Sequence, residues 1–276
     1  MHLLTALVLG VVQGITEFLP VSSTAHLILV PKAFGWDDAF INSLTFDVAL
    51  HLGTLIAVLI YFRDDWVRLA GAFFSSVKAR KVSSPGERVA WFIIIATIPG
   101  AVLGKLFEEQ VETTLRSPLV IAFTLAFVAV LMLLAERAAK SREKVAYIGD
   151  MKLGHAIVIG FAQAAALIPG VSRSGATITA GLWAGYERHS AARFSFLLST
   201  PIIAGACLLK LRHFVHGFPP GEAGVFIAGA LASALSGYIA IAFMIGYLKE
   251  RPLNVFAYYR FALAAVIAGI YISGSF

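Results

Sequence analysis

The sequence predicts an all-α polytopic membrane protein, with six membrane-spanning helices and two re-entrant helix hairpins arranged as an inverted-topology repeat. Three observations carry that expectation. Apolar runs of spanning length recur along the chain, basic residues collect between them, and two further apolar segments are broken at related polar sequences. Of 276 residues, 59% are hydrophobic and only 14% charged. A soluble domain carries about 25% charged residues, so a soluble core fits poorly.

Six stretches are long and apolar enough to span: 46–62, 89–107, 118–135, 190–211, 224–247 and 255–274. A hydrocarbon core of about 30 Å requires about 20 helical residues at 1.5 Å each. The loops set orientation through their basic residues. Residues 63–88 carry Arg63, Arg68, Lys78, Arg80, Lys81 and Arg88, and 136–152 carry Arg137, Lys140, Arg142, Lys144 and Lys152. Both are predicted cytoplasmic. Residues 105–117 set Glu108, Glu109 and Glu112 against Lys105 and Arg116, which suits the outer side. Lys210 and Arg212, on a predicted outer loop, run against the trend. The net charge of +6 is therefore read as topology and contact with lipid headgroups, not nucleic-acid binding. Cys207 is the single cysteine, which excludes an intrachain disulfide and a cysteine metal cluster. No linker-like stretch divides the chain, so one membrane domain over 1–276 is expected. The N-terminus lacks a basic n-region and is not read as a cleaved signal peptide.

Two apolar segments are interrupted. The first, 3–33, is broken by Gln13, Glu17, Pro20, Ser22 and Ser23; the second, 153–186, by Gln163, Pro169, Gly170, Ser172, Arg173 and Ser174. Both read as helix, break, helix, the pattern of a re-entrant hairpin. Gly10 and Gly160, Gln13 and Gln163, Val21 and Val171, and Ser22 and Ser172 share one offset, which marks an internal repeat, about 1–135 and about 153–276. Each repeat is a hairpin followed by three spans. Three is odd, so the second repeat enters from the opposite face and the two hairpin tips meet near the midplane.

The tips carry the chemistry. Gln13 and Glu17 are one turn apart on one helix face. Pro20 stops that helix, and Ser22, Ser23 or Thr24 can cap the next. His26 lies one turn beyond Ser23. Helix capping alone would explain the hydroxyls, but inserting an ionisable Glu17 in an apolar segment costs at least ~2.5 kcal/mol, which points to a site. The second tip, Pro169 to Thr177, offers Gly170 and Gly175 for close backbone approach, Ser172, Ser174 and Thr177 as hydroxyls, and Arg173 as a planar cation suited to phosphate. A helix starting there aims free N–H groups at the same place. The competing reading pairs Arg173 with Glu17 purely for structure. Asp47 and His51, also one turn apart, either support the site or sit at the interface. Arg260, inside the last span, would neutralise a carboxylate or contact phosphate. His155, His189, His213 and His216 are expected near helix ends, and Asp150 as a helix N-terminal acid.

These motifs, Gln13-x-x-x-Glu17, Pro20-Val-Ser-Ser-Thr-x-His26 and Pro169-Gly-x-Ser-Arg-Ser-Gly-Ala-Thr177, resemble those of the bacterial undecaprenyl-diphosphatases, also called bacitracin-resistance proteins. The likeness extends to Phe194-Ser-Phe-Leu-Leu and Tyr259-Arg260-Phe261. It implies hydrolysis of undecaprenyl diphosphate, which recycles the lipid carrier of cell-wall synthesis and confers bacitracin resistance. It also implies a multi-pass protein of the bacterial inner membrane, with its site open to the outer side, a polyprenyl diphosphate substrate, contact with membrane lipids and room for a homodimer. A divalent cation, magnesium or calcium, is expected, with Glu17 as its ligand. The family pattern permits Glu or Gln at position 13; Gln13 here puts a two-carboxylate metal site in doubt. The expected roles are Arg173 holding the diphosphate, Ser23 attacking or orienting a water, Glu17 taking the proton or fixing the metal, and His26 as the competing base. Gln13, Ser22, Thr24, Gly170, Ser172, Ser174, Gly175 and Thr177 are expected to contact substrate. The rival class is a polyprenyl-phosphate flippase or transporter, because inverted repeats with broken hairpins also build transporters.

Overall fold

The computed structural model of the protein describes residues 2–36, 44–107, 109–110, 114–142, 146–215 and 223–274. Glu108, Glu112, Lys144 and His216 lie outside the described residues, as do the side chains of Lys210, Arg212 and His213. Among the described residues there are eleven α-helices and no β-strand, only an isolated bridge between Ala146 and Tyr186.

The two broken segments form by the same local device. Helix α1 (His2–Phe18) stops just before Pro20, which has no N–H to continue the ladder and restricts the residue before it. Helix α2 (Ser23–Phe34) restarts after Ser22, whose backbone takes φ 77° and whose side chain accepts the Ala25 N–H. Far along the chain, α7 (Leu153–Ala165) ends before Pro169, and α8 (Arg173–Trp183) starts after Ser172. Ser172 has φ 69° and accepts the Gly175 N–H at 3.2 Å. A left-handed serine is unusual, because a Cβ is strained there; two of them at matched places mark two sharp reversals of one kind.

Among the described residues, five helices are long and apolar enough to cross a membrane: α5 (Pro85–Leu106), α6 (Pro118–Lys140), the Arg188–Leu209 part of α9 (Arg188–Val215), α10 (Ala223–Glu250) and α11 (Asn254–Ile272). A sixth, α3 (Leu44–Tyr61), passes only together with α4 (Arg63–Ala79), to which it is bent by 78°. This multi-pass pattern agrees with the expected spans. The 63–88 segment differs: it was expected as a loop, yet 63–79 is helical. Its charges form the outer face of an amphipathic helix whose inner face carries Trp66, Leu69 and Phe73 at helical spacing. The Phe73 ring lies 5.0 Å from that of Trp91 on α5, and Trp91 Nε1 donates to Ser76 Oγ at 3.0 Å. Asp65 pairs with Arg68 and with Arg193 of α9.

Close packing relies on small residues, as membrane helices require when apolar burial drives nothing. Helix α1 packs on α10, and α7 on α5. A Cβ added at Gly10 would strike the Gly229 carbonyl, and one at Gly160 would lie 2.7 Å from the Ala96 carbonyl. At the far end of α6, the 1%-exposed Glu136 takes a two-nitrogen fork from Arg188 (Nε 2.9 Å, NH2 2.6 Å) and the Leu253 N–H at 2.8 Å. One carboxylate thus ties α6 to α9 and to the start of α11. Asp150 accepts the Tyr147 N–H at 3.1 Å and so closes the 3-10 turn Ile148–Asp150; the first turn of α7 holds no acid, so Asp150 is not the helix N-terminal acid expected there.

Candidate active site

The two breaks meet. Ser174 Oγ, in the first turn of α8, donates to the Glu17 and Leu19 carbonyls at 3.2 and 3.1 Å. Thr124 of α6 donates to the Pro169 carbonyl at 2.7 Å. Arg260 of α11 is fully buried between them. Its guanidinium donates to the Pro20 carbonyl (3.2 Å) in the first break, to the Gly170 and Val171 carbonyls (2.8 and 3.1 Å) in the second, and to Leu125 and Thr124 of α6 (3.2 and 3.4 Å). Broken helices leave carbonyls without an intrahelical partner, and one five-donor side chain satisfies both sets. This corrects the expectation for Arg260: it contacts neither a carboxylate nor the pocket.

Between the breaks lies a small polar cavity of ≈ 40 Å³, lined by Glu17, Ser22, Ser23, Thr24, His51, Gly170, Ser172 and Arg173, with Ala166 and Ile168. Glu17 is 7% exposed. Its Oε2 accepts from Ser23 Oγ at 2.8 Å and from Gln13 Nε2 at 3.1 Å, with His51 Nε2 at 3.7 Å. Arg173 NH1 lies 3.7 Å from the other oxygen, Oε1, and is buried with no hydrogen-bond partner among the described residues. A carboxylate, a hydroxyl and an under-used guanidinium therefore face one space. A larger cavity of ≈ 400 Å³ adjoins it and shares Thr24, His51 and Arg173; its other walls are mostly apolar, including Leu9, Leu27, Ile28, Trp36, Phe46 and Ile203.

Glu17, Ser22, Ser23, Thr24, Gly170, Ser172 and Arg173 thus come together. Gln13 sits one layer below, fully buried, and reaches the cavity only through Glu17. Three residues expected to face substrate are turned elsewhere. Ser174 is spent on the α1 carbonyls, and Thr177 Oγ1 donates to the Arg173 carbonyl at 2.7 Å and lies 2.6 Å from Ser195 Oγ. Gly175 packs over Ser172 and Arg260. All three hold the second break in shape, because the first turn of α8 is wedged against α1 and α9.

His26 also faces away. Its Nδ1 donates to the Ser22 carbonyl at 2.7 Å, and its Nε2 accepts from the Tyr259 hydroxyl at 2.6 Å, with the two rings stacked 5.7 Å apart. Ser23 and Thr24 turn α2 toward the cavity, which carries His26 round to α11. The imidazole in the cavity is that of His51, on α3. The Asp47/His51 spacing is its only sequence signal, and that spacing fits an interfacial role equally well. Among the described residues, no group of three or more His, Cys, Asp or Glu could hold a metal ion. Glu17 is the one acid among the residues lining the cavity.

The family model described as "Bacitracin resistance protein BacA" matches residues 6–266. The chain is 50% identical over 273 residues to the undecaprenyl-diphosphatase of Rubrobacter xylanophilus, covering 98% of each chain. It is 45% identical over 276 residues to that of Pelobacter propionicus, covering 99% of each, and 48% identical over 272 residues to that of Moorella thermoacetica, covering 98% of each. A polar cavity between two broken helices, within a sequence matched almost end to end, places this chain in the bacitracin resistance protein BacA family.

Proposed function

We propose that this chain hydrolyses undecaprenyl diphosphate to undecaprenyl phosphate and inorganic phosphate, so returning the lipid carrier to cell-wall synthesis and conferring bacitracin resistance. The observation that carries the reading is the Ser23 hydroxyl 2.8 Å from the buried Glu17 carboxylate, facing Arg173 across one cavity. Phosphoryl transfer asks a protein for position and charge stabilisation. Arg173 and the N–H groups at the start of α8 hold the diphosphate. Ser23 attacks the terminal phosphorus, and Glu17 takes its proton. The apolar wall of the adjoining cavity, which Lys32, Asp47 and Arg116 also line, suits the first isoprene units.

A divalent cation fits this donor set as a companion of the substrate. Magnesium is commonly held by one or two carboxylates together with substrate phosphates, and Glu17 supplies one carboxylate. Bound there, the cation would neutralise charge on the diphosphate. The proposed architecture is one membrane domain of two inverted repeats whose re-entrant hairpins meet, in the inner membrane with the site open to the outer side. The packing supports the two-repeat part of this reading: exchanging α1 with α7, α3 with α9, α5 with α10 and α6 with α11 turns the α1–α10 contact into α7–α5 and α3–α10 into α9–α5. The same exchange leaves α3–α9 and α6–α11 unchanged.

Purified protein in detergent, where no compartments exist, should release phosphate from undecaprenyl diphosphate, and Ser23→Ala should abolish release. Lipid movement across vesicles without phosphate release would favour a flippase instead.

A further inference from the structure

We propose that His51 is a positioning residue that holds the hydrolytic water against Glu17, an assignment that rests on the phosphatase reading of this cavity. The Asp47 carbonyl can only accept, so His51 Nδ1, 2.7 Å away, carries the hydrogen. In the neutral ring, Nε2 then presents a lone pair toward Glu17 Oε2 at 3.7 Å. The two atoms are acceptors, and the gap exceeds a hydrogen bond. A molecule with two O–H donors, seated beside that gap at ~2.8 Å from each atom, satisfies both. The cavity, ≈ 40 Å³, exceeds the ~10–15 Å³ that one water requires, and polar groups line it. Gln13 and Ser23 already donate to Oε2, His51 Nε2 faces the same oxygen, and Arg173 stands on the Oε1 side. Gln13 cannot do this job, because its nitrogen is the end turned to Glu17. Neither can His26, whose Nε2 is taken by Tyr259.

The chemistry balances without a proton on His51. In the first step the Ser23 Oγ–P bond forms, the bridging P–O bond breaks, and the Ser23 proton passes through Glu17 to the departing lipid monophosphate. In the second, the held water attacks phosphorus, the P–Oγ bond breaks, and one water proton passes through Glu17 to Ser23 Oγ. His51 only accepts a hydrogen bond from that water and fixes where its lone pair points.

The test is steady-state and rapid-quench kinetics on the full chain in detergent, with undecaprenyl diphosphate, for His51→Leu and His51→Gln. His51→Leu removes the acceptor. Its kcat should fall at least about tenfold with KM within about twofold, and phosphorylated Ser23 should accumulate. His51→Gln restores an acceptor oxygen and should keep kcat within about threefold of wild type. Unimpaired His51→Leu, equal loss in both variants, loss without phosphorylated Ser23, or recovery of His51→Leu by added magnesium would each overturn the assignment. Should His51→Leu fail to fold, His51→Ala carries the same comparison. Wild-type protein that releases no phosphate would instead overturn the phosphatase reading itself.

Discussion

Arg260 shows what a buried cation can do without a carboxylate. Its donors are matched to carbonyls freed by two helix breaks, so removing it would orphan several buried acceptors at once. Arg260→Met should lower stability by roughly 3–5 kcal/mol, read as the thermal unfolding midpoint in detergent. Arg173 is the opposite case. It is partly exposed, one nitrogen has no hydrogen bond among the described residues, and it faces the cavity. Arg173→Ala should leave the midpoint nearly unchanged and cut kcat/KM by about a hundredfold or more; near-normal rates would sink its role as phosphate holder. The sequence distinguished these arginines only partly. Arg173 was legible because glycines and hydroxyls flank it. Arg260 was not, because its acceptors are backbone groups up to 240 positions away, and side-chain patterns do not encode them.

At the scale of helices, the shared offset of Gly10 and Gly160 acquires a physical meaning. Each lets a broken helix approach a spanning helix, α10 for one and α5 for the other. Gly10→Ala and Gly160→Ala should therefore be destabilising to a similar degree, about 1–3 kcal/mol each, by the added Cβ against backbone. The Glu136 junction answers to a different rule. Arg188→Ala strands a buried carboxylate and should cost roughly 3–5 kcal/mol, with Glu136→Gln milder because the amide can still accept from Leu253. Spans and breaks were readable from hydropathy and proline. Helix α4 was not, because counting charges hid an apolar stripe at Trp66, Leu69 and Phe73.

For the whole molecule, the proposed inverted arrangement has a direct consequence for topology. In a Cys207→Ser background, cysteines at 80 and 142 should react with an impermeant thiol reagent only from the cytoplasmic side, and one at 116 only from the outer side. Reaction of all three from one side would rule that arrangement out. The gross architecture was legible because bilayer thickness imposes a length on every span. The inner geometry of the site was not, since which way His26 and His51 turn depends on helix rotation, fixed by packing between distant helices.

The buried guanidinium of Arg260 also sets an order of events in biogenesis. Both breaks have left the ribosome and can enter the bilayer well before α11 is made, but their carbonyls wait for that helix. Those carbonyls can therefore be met by Arg260 only after α11 has been made. A nascent chain that has not yet reached α11 would carry Glu17, Ser23 and Arg173 with the carbonyls of both breaks still waiting for their shared donor.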